Sequence, residues 1–307
     1  MFEDSIKIVY NINIMKKIFI LLGLFIGLLT IQPSYAIKIG LCTGVESVRV
    51  SVSDEAQMID VKTNKQLCLI RKMLMYEITP LGNDKMIVRS NWGQCTVNST
   101  DAVVKPIEQT ACVYAKDKWY RGILRVMNKN GVLTLINDIC MENYLQGVVP
   151  AEMPSSWNIE ALKAQTIAAR TYAVANMGKH SAEGFDLGDT YMDQVYEGVN
   201  AETENTNRAI LETSGIIMLY DNKPISAMYC SCAGGQTISA LESFGNDIPY
   251  LKSVPSYDNN AQKAGHGVGM TQHGAKNLAE MGNSAYQILT HFYNNIQFVR
   301  LNPVYYK

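Results

Sequence analysis

Gln146-Gly-Val-Val-Pro-Ala-Glu-Met-Pro-Ser-Ser-Trp-Asn-Ile-Glu-Ala-Leu-Lys-Ala-Gln-Thr-Ile-Ala-Ala-Arg-Thr171 decides how the rest of the chain is read. Its second half has the punctuation of a helix. Asn158 fits an N-cap, whose side chain accepts a bond from an otherwise orphaned N–H. Trp157 and Leu162 then occupy the two positions of a hydrophobic staple, which fixes the angle of entry. The helix is expected from Ile159 to about Asn176, with Gly178 as its C′ residue. Ala161, Ala164, Ala168, Ala169, Ala173 and Ala175 keep it thin enough to pack closely on a sheet or a second helix. Glu160, at N2, is explained by the helix dipole. The first half leaves one carboxylate, Glu152, in a corner between an apolar run and this helix. Pro150 and Pro154 bracket it and fix φ at two nearby positions.

Downstream, further helices are expected from Gln272 to Met281, stopped by Gly282, and from Ser284 to Asn294. Strands are expected at Ile216–Tyr220 and Ile225–Tyr229, around a turn at Asp221–Pro224. Upstream, Tyr120–Val126 and Val132–Ile136 form a hairpin with Asn130-Gly131 as its tight turn. From Ile37 to Thr110 short β runs alternate with turns. Ser47–Val52 alternates with period two, and Lys85–Arg89 and Asp101–Lys105 are similar. Asp60–Lys65 and Leu81–Asp84 supply turns. Helices and strands mix without regular βαβ alternation, so the fold class is α+β. The expected organisation is a signal peptide over 1–36, a small β-rich module over 37–112 and a larger domain over 113–307. There is no internal repeat.

Met15-Lys16-Lys17, the apolar run Ile18–Ile31 and Ser34-Tyr35-Ala36 read as the charged, apolar and cleavage regions of a secretory signal. The run is about 14 residues, short of the roughly 20 needed to span a bilayer. An uncleaved anchor is the alternative. Residues 1–14 precede a credible start at Met15, so the true start is expected there. About 270 residues follow Ala36, enough for one sizeable core or for a module plus a domain. The formal net charge is −1 and charged residues are 18%. With no basic run, nucleic-acid binding has no electrostatic support. Membrane contact is expected only in transit, through the signal.

Seven cysteines follow the signal: Cys42, Cys68, Cys95, Cys112, Cys140, Cys230 and Cys232. Outside the cytoplasm they can oxidise, and one or two disulfides are expected among the first four. The odd number leaves at least one unpaired within the chain. Cys230-Ser-Cys232 is not a zinc pattern, since no His-x₃₋₅-His accompanies it.

Three segments carry candidate chemistry. Val148, Val149, Met153 and Trp157 are apolar neighbours for Glu152, and such surroundings raise a carboxyl pKa. A general acid for glycosidic cleavage needs that rise to keep its proton near neutral pH. On pattern alone, a solvated loop acid or a helix-terminal carboxylate is the alternative. In Gly265-His-Gly-Val-Gly-Met270, alternate glycines allow close backbone approach. His266 and Gln272 can then reach sugar hydroxyls, with a packing role for His266 as the alternative. The spacing is not that of a phosphate loop. In Tyr229-Cys-Ser-Cys-Ala-Gly-Gly-Gln-Thr237, Ser231 lacks a nucleophile elbow and reads as a hydrogen-bond donor or structural residue. A thiol nucleophile at Cys230 or Cys232 is the sharper alternative.

Taken together, Met141–Pro154, Glu160–Gln165, Ala168–Ala173, Asp193–Gly198, Ser231–Thr237, Pro249–Leu251 and Gly265–Met270 resemble the SpoIID/LytB family, roughly from Tyr120 to Tyr293. The resemblance implies lytic transglycosylase activity on peptidoglycan, cleaving between N-acetylmuramic acid and N-acetylglucosamine and leaving a 1,6-anhydro end. It implies that Glu152 is the catalytic acid and then the base. One carboxylate suffices for that chemistry, unlike the two-acid glycosidases. From the matching segments, Gln165, Arg170, Gln194, Tyr196, Tyr229, Ser231, Thr237, His266 and Gln272 are the expected substrate-binding residues. Some relatives bind zinc just before the Gln-Val-Tyr segment. Here Gly188, Met192 and Asp193 stand there; Gly188 has no ligating side chain and Met192 is a poor zinc ligand, so no metal or other cofactor is expected. The link between Tyr250 and Gly265 is short compared with many relatives and points to a more open groove. Expected partners are glycan strands and other cell-wall hydrolases, in an extracytoplasmic location. Two alternatives stay open: a non-catalytic wall protein that stimulates an amidase, and a hydrolase using Asp186, Asp189 or Asp193 beside Glu152.

Overall fold

The structure, a computed structural model, describes residues 36–259 and 262–301. The expected signal peptide therefore lies outside the described residues, apart from Ala36. In chain order the first strands are β1 (Ala36–Val45), β2 (Val48–Val52), β3 (Ala56–Asp60), β4 (Gln66–Ile70), β5 (Tyr76–Leu81) and β6 (Lys85–Ser90). They continue as β7 (Gly93–Val97), β8 (Asp101–Pro106), β9 (Val113–Ala115), β10 (Lys118–Tyr120), β11 (Ile123–Lys129) and β12 (Val132–Cys140). Two helices follow, α1 (Met141–Glu152) and α2 (Ile159–Ala175), then β13 (Leu187–Gly188), α3 (Glu204–Glu212), β14 (Ile216–Tyr220), β15 (Lys223–Pro224) and β16 (Tyr229–Cys230). The last elements are α4 (Ala240–Phe244), β17 (Met270–Thr271), α5 (Gln272–Glu280), α6 (Ala285–Phe292) and β18 (Gln297–Arg300). This is an α+β fold, as the mixture of patterns indicated.

A seven-stranded sheet runs β13-β1-β12-β11-β8-β3-β4 and a six-stranded one β10-β9-β2-β5-β6-β7. Period-two burial along β3, β6 and β11 sends alternate side chains into one shared apolar core. Each fully buried Ile, Leu or Val in it contributes about 1.5–3 kcal/mol. The expected boundary at 112/113 is crossed by three ladders: β1 with β12, β8 with β11, and β2 with β9. The β-rich segment and the start of the next thus share both sheets. The Asn130-Gly131 turn forms as expected, with φ 58° and 81° between the paired Lys129 and Val132.

Around α2 lies a second core, built from α5, α6 and β14. Asn158 caps α2 by accepting from the Glu160 N–H at 3.0 Å. Five of its alanines are fully buried, at 161, 164, 168, 169 and 173, while Ala175 is exposed. Its C-cap is Asn176, so Gly178, at φ 81°, sits one residue later than expected.

Four further expectations are corrected. The run 141–152, read as an apolar approach to a corner, is α1, and Glu152 is its last residue. Pro150 lies inside its final turn. Complete burial of Tyr144, Leu145, Val148 and Val149 outweighs the missing N–H. The strand expected at Ile225–Tyr229 does not form beside β14; the partner there is Lys223–Pro224, within the expected turn, and Tyr229 pairs instead with Met270. Asp221 and Asn222 both take positive φ, which makes a two-residue turn, and the chain leaves the ladder after Ile225 bonds Met218 O. The last expected helix ends at Phe292, and Ser284 is its cap, in a capping box with Gln287. Finally, all seven cysteines are free thiols, and Cys68 Sγ donates to Met58 Sδ at 3.8 Å.

Candidate active site

α1 ends where its functional side chain begins. Gly147 lets the helix lie against a buried tyrosine: a Cβ there would meet Tyr196 Cε2 at 2.6 Å and Gly198 N at 2.9 Å. Met153 leaves the helix in extended conformation, its N–H still bonded to Val149 O at 3.0 Å. This sharp exit presents Glu152, half-buried, to a cavity of about 380 Å³. Burial pushes the Glu152 pKa above the ordinary carboxylate range, although bonds from the Gln272 side chain, the Val195 N–H and the Tyr229 hydroxyl pull the other way. The helix C-terminus carries partial negative charge and acts in the same sense as burial.

The donors around Glu152 are themselves fixed. Gln272 Nε2 donates to Glu152 Oε2 at 3.1 Å. Gln272 opens α5, whose N-cap Thr271 accepts from Gly274 N. Gln194 Nε2 donates to the Tyr229 hydroxyl oxygen at 2.9 Å and to Ala169 O at 3.3 Å. Tyr144 donates to Gln194 Oε1 at 3.2 Å. The Tyr229 hydroxyl oxygen thus accepts from Gln194, and the hydroxyl lies close enough to Glu152 to lower its pKa. Burial holds the Tyr229 pKa far above its usual value, so the hydroxyl keeps its proton.

β16 and β17 close the other wall. They pair in parallel, Tyr229 with Met270 and Cys230 with Thr271. Gly269, at φ 77°, makes this possible, because a Cβ there would sit 2.0 Å from Met228 O. His266 lines the cavity, and its Nδ1 accepts from Val268 N at 3.0 Å. The neutral ring therefore carries its proton on Nε2. Burial lowers its pKa, partly offset by a bond to the Tyr229 backbone. Cys230 also lines the cavity, but burial pushes its thiol up to about 11, so it is not a ready thiolate nucleophile.

The other expected substrate contacts lie elsewhere. Arg170 is fully buried, with Nε and Nη2 on the Glu142 carboxylate at 3.0 and 2.6 Å and Nη1 on Ile216 O at 3.2 Å. Tyr196 is buried against Tyr120 and Tyr144 and donates to Asn137 Oδ1 at 2.9 Å. Thr237 is buried and bridges to Val254 through its N–H and hydroxyl. Gln165 is fully buried, and its amide has no partner among the described residues. Ser231 faces Cys232 Sγ at 3.6 Å, and its carbonyl accepts from His273 N. None of these five lines the cavity. Gln194 reaches Glu152 only through Tyr229. The sequence reading missed Tyr172, Tyr191 and Met228 on the cavity wall, and also the Val195 N–H, because a backbone donor leaves no mark in residue type.

The three aspartates considered as partners for Glu152 are all engaged. Asp186 accepts from the Lys38 and Gly178 N–H groups. Asp189 pairs with Lys116 at 2.6 Å. Asp193 lines the cavity, yet it accepts from Lys179 Nζ at 2.5 Å and Gly188 N at 2.7 Å and faces His180 Nε2 at 3.0 Å. Those bonds hold its carboxyl below its usual range against the opposing effect of burial. The same geometry tests the zinc position. Gly188 offers a hydrogen-bonding N–H and no side chain, and Asp193 is saturated by donors that include an ammonium, so these residues do not fit the metal. A larger hollow of about 720 Å³ borders Asp258, His273 and Glu280. Asp258 is bound by the Ala233 and Gly235 N–H groups, and Glu280 is an exposed partner of Lys276. No helix among the described residues is long and apolar enough to cross a membrane.

Comparison with known proteins bears on this site. Residues 129–220 match the SpoIID family, described as stage II sporulation protein. An uncharacterised protein of Brachyspira hyodysenteriae is 30% identical over 210 residues, covering 68% of this chain and 52% of that protein. The amidase enhancer of Bacillus subtilis is 43% identical over 107 residues, 35% of this chain and 14% of the relative. Stage II sporulation protein D of Bacillus subtilis is 40% identical over 136 residues, 39% of this chain and 40% of the relative. The chain thus spans about half the length of the first relative and less of the other two.

Proposed function

This chain belongs to the SpoIID family, and on that premise we propose that it is an exported lytic transglycosylase of peptidoglycan with Glu152 as its acid and base. One observation carries the reading: a half-buried carboxyl with a raised pKa, aimed into a cavity and held by the Gln272 side chain. In the first step neutral Glu152 gives its proton to the glycosidic oxygen as the bond from C1 of N-acetylmuramic acid breaks. In the second, the Glu152 carboxylate takes the proton of that sugar's C6 hydroxyl as its oxygen bonds C1, closing the 1,6-anhydro ring. The proton returns to Glu152, and no water is consumed. Gln272, Tyr229 and the Val195 N–H stabilise the carboxylate between steps. The engagement of Asp186, Asp189 and Asp193 supports one-acid chemistry, because none is free to activate water as an inverting pair requires.

The expected secretory signal and a cell-wall substrate support an extracytoplasmic place of action. A second reading, a wall protein that stimulates a separate amidase, draws support from the likeness to the amidase enhancer. Glu152→Gln separates the two. The amide keeps the shape but cannot donate the same proton, so glycan cleavage should fall at least about a hundredfold. Undiminished cleavage by a folded Glu152→Gln protein contradicts the assignment.

A further inference from the structure

Tyr191 is 85% exposed, yet it lines the wall of the Glu152 cavity. Scattered exposed aromatics are ordinary on protein surfaces. This one differs in how firmly its backbone is held. Asp193 N donates to Thr190 O at 2.9 Å, closing a turn with Tyr191 and Met192 at its two corner positions. The Asp193 side chain, 2% exposed, anchors the base of that turn through Lys179, His180 and the Gly188 N–H. Lys179 also reaches Met192 O at 3.4 Å. His180 is backed by Phe185, with ring centroids 5.0 Å apart. One residue before the turn, Asp189 is pinned by Lys116, and its carbonyl accepts from Tyr196 N at 3.2 Å. Charge-assisted bonds of this kind are about twice as strong as neutral ones. The outcome is a solvent-facing ring carried on a firmly held turn beside a half-buried acid.

A pyranose ring offers a face of C–H groups, apolar and slightly positive, which packs on the negative face of an aromatic ring. A ring on a rigid turn loses little conformational freedom on binding, which favours affinity. We propose that Tyr191 is a sugar-stacking platform of the Glu152 cavity, held in position by the ionic knot around Asp193. Its ligand is a pyranose of the glycan strand next to the bond to be cut. The inference rests on the glycan reading given above.

The test measures binding of purified glycan strands, stripped of stem peptides, to the protein carrying Glu152→Gln, so that cleavage does not interfere. Adding Tyr191→Ala should weaken binding about tenfold, the equivalent of about 1.4 kcal/mol. Tyr191→Phe and Tyr191→Trp should bind within about threefold of the parent, because the ring and not the hydroxyl makes the contact. The melting temperature should not move, since the side chain is exposed. Asp193→Asn should weaken binding too, and it should add little on top of Tyr191→Ala, as coupled residues do. A folded Tyr191→Ala protein that binds glycan as well as its parent overturns the platform while leaving the glycan reading intact. A parent that binds no glycan overturns both. Cleavage undiminished by Glu152→Gln, together with binding weakened by Tyr191→Ala, removes the catalytic reading and keeps the platform.

Discussion

Replacing Arg170 by Met should unfold the protein at lower temperature without touching the sugar site directly. Arg170 is fully buried and makes three bonds, two to Glu142 and one to Ile216 O. Met roughly fills the aliphatic stem, so little cavity is left and the cost is electrostatic. Removing one partner of a buried ion pair typically costs 3–5 kcal/mol, mostly by stranding the other charge. The Glu142 side chain is 24% exposed and keeps a bond from Gly215 N at 3.2 Å, so we take the lower end, about 3 kcal/mol. For a domain of this size each kcal/mol moves the melting temperature by about 2–4 °C, giving a fall of about 6–12 °C. Thermal unfolding of both proteins reads this out, and glycan binding measured well below either transition should be unchanged per folded molecule. Adding Glu142→Leu removes the stranded charge and should recover part of the loss. An unmoved melting temperature with impaired glycan binding would mean that Arg170 serves the substrate, and the structural reasoning would fail.

Other outcomes follow from the same geometry. Glu152 has its folded pKa raised, so its contribution to stability is full below the unfolded value and lost as pH rises through the folded one. Glu152→Gln should therefore melt higher than the parent at neutral pH, and the gap should close as pH drops below the reference value of 4.5; a gap that widens on acidification contradicts the burial effect. In the parent, cleavage should decline as pH rises through the Glu152 pKa, because the proton donor is lost. Gly269→Ala should separate β16 from β17, since its Cβ would meet Met228 O at 2.0 Å; cleavage and stability should both fall, and a variant matching the parent in both would show that the close approach is dispensable. Chelation with EDTA should leave activity unchanged, because Gly188 and the occupied Asp193 do not form a zinc site; one tightly held zinc per chain, with activity lost on its removal, would refute this.

Much of the frame was legible because it rests on local signals. The Asn130-Gly131 hairpin, the Asn158 cap and the alternation in β6 and β8 depend on neighbours within a few residues, and all of them formed. The identity of α1 was hidden because Pro150 and Gly147 are poor helix residues. Burial of Tyr144, Leu145, Val148 and Val149 overrides that propensity, and Gly147 is explained by Tyr196, far along the chain. At the site, the polar residues of the shared motifs look alike in sequence. The structure separates them by depth: Arg170, Tyr196 and Thr237 are spent on internal bonds, while Gln272 and Tyr229 reach the acid. Tyr191 carried no signal, because an exposed tyrosine becomes informative only when the cavity beside it is known.

Mass spectrometry of glycan strands incubated with the purified protein tests the central claim most directly. Fragments ending in 1,6-anhydro-N-acetylmuramic acid, absent when Glu152→Gln is used, are the predicted result. Reducing ends would show that water is the acceptor and that a second group activates it. Intact strands, from a folded protein that still binds them, would contradict catalysis and leave the amidase-stimulating role.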